Sequence, residues 1–111
     1  MLFSEYKRAS PTYVLRGRTP VLEPVYDAWC EWFRTADRVV ASSELPNGVL
    51  IDTYFLGTDY GTGTDRPPIL FHTYIHDGPR ASSYWLEPTW SMAEKRHFQV
   101  VEEELNSGEY P

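Results

Sequence analysis

Two stretches decide the fold: Val49-Leu-Ile-Asp-Thr-Tyr-Phe-Leu-Gly-Thr-Asp59 and Pro68-Ile-Leu-Phe-His-Thr-Tyr-Ile75. They read as a strand, a Gly-rich loop and a returning strand. Side chains along a strand alternate between its faces. Val49, Ile51, Thr53 and Phe55 therefore share one face, and Ile69, Phe71, Thr73 and Ile75 share one face of the partner. These sets suit a helix lying over them. The opposite faces carry Leu50, Asp52, Tyr54 and Leu56, then Leu70, His72, Tyr74 and His76. If Phe55 stands opposite Phe71, Tyr54 comes level with His72 and Asp52 lies near Tyr74. Asp52, Tyr54, His72, Tyr74 and His76 then occupy one surface, the leading candidate for a functional face. The plainer reading is the wet side of an antiparallel sheet, where polar-aromatic pairs are ordinary.

Working outward, Val39–Leu45 and Val49–Leu56 flank Pro46-Asn47-Gly48. Asn-Gly tolerates the positive φ angles of a type I′ turn, so this is a hairpin signal. The Gly57–Pro68 loop is long, with three glycines and two prolines marking irregular backbone. Gly61-x-Gly63 lacks the spacing of a dinucleotide fingerprint, no Gly-Lys-Ser/Thr follows, and no helix opens after it. Asp77-Gly-Pro79 turns the chain, Ser83–Leu86 is a short fourth strand, and Thr12–Leu15 is a short edge strand before an Arg16–Pro20 turn.

Helices bracket this sheet. Pro24 suits a first helical position. Val25, Ala28, Trp29, Trp32, Phe33 and Ala36 then follow one apolar stripe, which places two indoles and a phenyl ring as core anchors. The last helix spans about Trp90 to Leu105. Thr89 or Ser91 can cap it, the latter with Glu94 at capping-box spacing. Glu102, Glu103 and Glu104 sit at the wrong end of its dipole, which predicts a frayed last turn. The fold class is α+β: an antiparallel sheet of three to five strands with an N-terminal and a C-terminal helix packed on it. Residues 1–11 read as a flexible arm, 12–107 as the single domain and 108–111 as a tail.

A chain of 111 residues builds about one core. Aromatics form 15% of it, enough to supply both core volume and a binding surface. The net charge of −6 argues against direct nucleic-acid binding, which needs Lys and Arg against phosphates, and favours a basic partner or simple solubility. Cys30 is the only cysteine, so neither an internal disulfide nor a Cys-based zinc cluster can form. No signal-peptide core or membrane-length apolar run is visible, which predicts a soluble cytoplasmic protein.

Chemical motifs are sparse. His72 and His76, four residues apart on a strand, stand about 13 Å apart at roughly 3.3 Å per residue and cannot share an ion. A metal site would need His97 or the loop aspartates Asp59 and Asp65 brought in by folding. There is no Gly-x-Ser-x-Gly elbow. His97, on the apolar side of the last helix, reads as a hydrogen-bonded core residue ahead of a catalyst. No catalytic residue, metal or cofactor is assigned.

Tyr13-Val-Leu-Arg-Gly-Arg-Thr-Pro20, Trp29 with Trp32-Phe33, Ala36-Asp-Arg-Val-Val40, Phe55-Leu-Gly-Thr-Asp59, Pro67-Pro-Ile-Leu-Phe71 with Thr73, and Thr89-Trp90 with Ala93 and His97 stand in order along the chain. In these, from about Tyr13 to Glu102, it resembles a family of small uncharacterised proteins encoded by phages and prophages. His72 stands where that family usually has Glu, and Tyr60 where it usually has His. The resemblance implies an accessory protein in the cytoplasm of a bacterial host and implies no reaction. The expectation is a non-enzymatic protein that binds a host protein as inhibitor or modulator, with Asp52, Tyr54, Asp59, Tyr60, His72, Tyr74 and His76 as the binding face. The alternative is a nucleotide-like small-ligand binder or minor enzyme using the 57–68 loop over Tyr54 and His72. A homodimer through a sheet edge or open face fits either; a membrane fits neither.

Overall fold

A computed structural model of the chain describes residues 11–61 and 65–107. The expected arm before Pro11, the tail after Ser107 and the loop residues 62–64 lie outside the described residues. Strands β1 (Tyr13–Arg16) and β2 (Thr19–Leu22) form a hairpin, followed by helix α1 (Tyr26–Thr35). Strands β3 (Val39–Glu44), β4 (Leu50–Phe55), β5 (Phe71–Ile75) and β6 (Tyr84–Glu87) make an antiparallel sheet in sequence order, and helix α2 (Trp90–Asn106) closes the fold. This is the α+β architecture expected.

The central register is the one the alternation requires. Phe55 pairs with Phe71, Tyr54 with His72, Thr53 with Thr73 and Asp52 with Tyr74. Val49, Ile51, Thr53, Phe55, Phe71, Thr73 and Ile75 are all buried. α2 lies over them with Ala93, His97, Val100 and Glu104 inward, the i, i+4, i+7, i+11 face of a helix. Two apolar clusters result. One joins Leu45, Val49, Ile51, Ile75 and Val100; the other joins Phe55, Leu70, Phe71 and Ala93. Leu70 departs from the expected alternation: β5 begins only at Phe71, and Leu70, before the strand, turns into the core.

A polar layer runs between the clusters. Thr53 Oγ1 lies 2.7 Å from Thr73 Oγ1 and 2.9 Å from His97 Nδ1, and His97 Nε2 lies 2.9 Å from Ser43 Oγ. Both ring nitrogens of His97 thus have hydroxyl partners, so its complete burial leaves no polar atom stranded.

The β3–β4 turn differs from the type I′ expectation. The Gly48 N–H donates to Leu45 C=O at 2.9 Å and the Leu45 N–H to Val49 C=O at 2.8 Å, giving a three-residue loop. Gly48 takes φ +89°, whereas Asn47 keeps a negative φ and its Oδ1 accepts from the Val49 N–H at 3.1 Å. Pro46 explains this, because its ring holds φ near −65° and favours a turn opened by an ordinary negative-φ residue. The consequence reaches the candidate site. A two-residue Asn47-Gly48 loop would set Ser43 against Asp52; the observed loop sets Ser42 there and turns Ser43 to His97. A register shift between Val39 and Ala41 then bends the end of β3.

Three further expectations are revised. The Arg16–Pro20 turn is the tip of the β1–β2 hairpin, with Gly17 at φ +65° and Pro20 inside β2, where an edge strand tolerates its missing N–H. α1 flanks the core instead of filling it. None of its residues is fully buried, and Val25 and Ala28 are exposed. Trp32 meets Phe55 edge-on at 5.9 Å, while the Trp29 indole N–H donates to Tyr13 C=O at 2.9 Å. Finally, α2 stays helical through Asn106. Arg80, from the β5–β6 loop, sits 3.1 Å from buried Glu104 and 3.9 Å from Glu103, offsetting the carboxylates at the helix end. Thr89 supplies the N-cap by accepting from the Met92 N–H at 3.1 Å, so the Ser91–Glu94 box is not used.

Candidate functional site

Among the described residues, no helix lies over the second face of the four-stranded sheet. Across it, Ser42, Asp52, Tyr74 and Tyr84 form one row, and Val39, Tyr54, His72 and Leu86 the next. Asp52, Tyr54, His72, Tyr74 and His76 thus come together as the alternation predicted. His72 is the hub. Its ring lies 5.3 Å from Tyr54 edge-on, 5.7 Å from Tyr74 in a stack and 5.5 Å from Tyr84. Tyr74 also meets His76 at 4.9 Å. Such ring pairs add to the stability of a sheet face beyond their burial.

Burial lowers the pKa of His72, so the ring is neutral at pH 7, and its Nδ1 is buried without a hydrogen-bond partner. Burial likewise raises the Tyr54 pKa. The charge of Arg38 opposes that shift, while Tyr60, Asp52 and Tyr74 reinforce it. Asp52 is held from two sides, by the Ser42 hydroxyl at 2.5 Å on Oδ1 and His76 Nε2 at 2.8 Å on Oδ2. Tyr84 remains 59% exposed at the β6 side, and Tyr54 and Tyr74 are half-buried against their neighbours.

Asp59 has a different task. Its Oδ1 accepts from the N–H groups of Ile69 (2.8 Å) and Gly61 (2.9 Å) and from the Arg66 guanidinium (3.1 Å). Partial burial works against its ionisation, but the Ile69, Gly61 and Arg66 donors outweigh it and hold the carboxyl below the usual range. Asp59 thus closes the loop on itself. Tyr60, 58% exposed, flanks the face within electrostatic reach of Tyr54. Gly57 explains the Leu-Gly-Thr-Asp stretch: at φ +85° it passes under Trp29 and Phe33, where a Cβ would stand 3.1 and 3.0 Å from their rings.

Beside Tyr54 a groove of about 600 Å³ opens at the bent end of β3. Asp37, Arg38, Val39, Ser42, Asp52 and Tyr54 line it. Sequence reasoning missed Ser42, Asp37 and Arg38. Ser42 enters through the turn register. Arg38 enters because its Nη1 donates to Phe55 C=O at 2.8 Å, with the guanidinium 4.0 Å from the Phe33 ring centre. No group of three or more His, Cys, Asp or Glu among the described residues is placed to hold a metal ion, and none of their helices is long and apolar enough to cross a membrane.

Comparison of the chain with protein-family models, with curated proteins and with solved structures finds no match.

Proposed function

We propose that this chain is a non-catalytic binding protein of phage or prophage origin, which docks through the open sheet face onto a protein of its bacterial host and modulates it in the cytoplasm. One observation carries the reading: one face of the sheet is sealed by α2, whereas the other presents Tyr54, His72, Tyr74 and Tyr84 as one ring cluster over which none of the described helices lies. Tyrosine suits docking because it brings large contact area and a polar tip. The fixed side chains help too. Asp52, His76 and Tyr74 are braced by neighbours, so little side-chain freedom remains to be lost on binding. The phage setting rests on the sequence resemblance alone.

The test is recovery of tagged protein from bacterial host lysate, read by native mass spectrometry, with Tyr84→Ala and Phe98→Ala compared with the parent. Both side chains are more than half exposed, at 59% and 55%, but Phe98 lies on α2. A stoichiometric partner retained by Phe98→Ala and lost by Tyr84→Ala supports the face. Retention by both variants overturns it. A small-molecule adduct without protein moves the function to the ligand-binding alternative, for which the groove beside Tyr54 has room.

A further inference from the structure

We propose that the groove at the bent end of β3 is the seat for a basic side chain, an arginine or lysine, of the protein that docks on the open face. The inference rests on the docking reading and adds the chemistry of the partner.

Four observations converge. The groove is continuous with the face, since Asp52 and Tyr54 belong to both. Its two carboxylates are fixed in place. Asp52 is held by Ser42 and His76, and Asp37 Oδ1 accepts from the Val39 N–H at 3.1 Å. A carboxylate has about four lone-pair sites, so these contacts leave acceptor capacity on both residues. The cation of the groove is already engaged: Arg38 donates to Phe55 C=O and rests over Phe33. Neither contact cancels the Arg38 charge, but Asp37 and Asp52 outnumber it two to one, so the groove is net acidic, in a chain of net charge −6. Tyr54 and Val39 supply apolar wall for the methylene stem that Arg and Lys bury while the charge stays wet. Arginine is also prominent among the residues that anchor protein interfaces.

The experiment uses the full chain, ¹⁵N-labelled, titrated with N-acetyl-arginine methylamide and, separately, with the uncharged N-acetyl-norleucine methylamide. The expected result is saturable shifts of the Asp37, Val39, Ser42, Asp52 and Tyr54 amides with the arginine compound only. Asp37→Asn and Asp52→Asn should each weaken that binding by about fivefold, the upper range for an exposed ion pair. The same spectra show whether each variant is folded. Shifts that are scattered, equal for both compounds or unchanged in both variants overturn the inference. Its failure is separable from that of the docking reading. If Tyr84→Ala loses the partner while the arginine compound leaves the groove unmoved, only the basic anchor falls. If the compound seats while Tyr84→Ala keeps the partner, the docking face is wrong.

Discussion

Thr53 Oγ1 lies 2.9 Å from Nδ1 of His97, and both residues are completely buried between the sheet and α2. This bond spans 44 positions of sequence and ties the helix to the middle of the sheet. Burial lowers the His97 pKa below the ordinary 6.5, with the charge of Asp52 acting weakly the other way. His72, on the other face, is lowered by burial as well. The sign follows. Well above pH 6.5 both rings are neutral, folded or unfolded, and neither penalises folding. As pH falls below 6.5, the unfolded chain takes up protons that the folded chain refuses. Stability then declines, by up to about 1.4 kcal/mol per pH unit for each such proton, until the lowered folded pKa is reached. Urea midpoints at pH 7.5 and 5.5 should show the drop. His72→Phe should reduce it, and an unchanged slope in that variant would remove His72 from the account.

Gly57 and Gly48 separate conformational strain from crowding. Both have positive φ, +85° and +89°, but a Cβ at Gly48 meets open space while one at Gly57 meets Phe33 and Trp29. Gly48→Ala should cost about 1 kcal/mol from the backbone alone. Gly57→Ala should cost about 2 to 4 kcal/mol, because the aromatic rings of α1 must also move. Equal losses in denaturant melts would show that the α1 contact carries no weight.

Arg80 and Glu104 are coupled across the end of α2. Arg80→Met leaves Glu104, 2% exposed, beside Glu102 and Glu103 without its cation. A loss of about 2 kcal/mol is expected, below the full range for a buried pair because Arg80 is partly wet. Adding Glu104→Gln should recover part of it. A double-mutant cycle with no coupling would contradict the pairing.

Asp59→Ala removes one oxygen that serves three donors. Stability should fall by about 2 kcal/mol, and amide exchange at Gly61 and Ile69 should accelerate. Partner capture should survive in the folded fraction. Loss of capture by a fully folded Asp59 variant would return this residue to the binding face.

Short-range physics made much of the fold legible. The period-2 pattern from Val49 to Phe55 and from Phe71 to Ile75 determined which residues face the core, because a strand has only two faces and one of them had to be apolar. The i+4 recurrence of Ala93, His97, Val101 and Leu105 placed the first half of the buried face of α2, but that face continues through Val100 and Glu104, and Leu105 is exposed. Matching Phe55 to Phe71 was enough to gather Asp52, Tyr54, His72 and Tyr74. The sequence by itself thus determined the α+β class, the core face and most of the aromatic cluster. Only the tertiary structure decided the rest, because it depends on contacts between distant residues. Pro46 and Gly48 together set a three-residue turn, and that choice alone brings Ser42 to Asp52 and Ser43 to His97. Arg80 steadies the acidic end of α2 from a loop 24 positions before Glu104. Asp59 faces the backbone of its own loop because Ile69 returns to it. The amphipathic stripe of α1 predicted a helix packed on the sheet; it settles instead beside β1 and over Gly57, where Trp29 and Phe33 lie close to the glycine backbone.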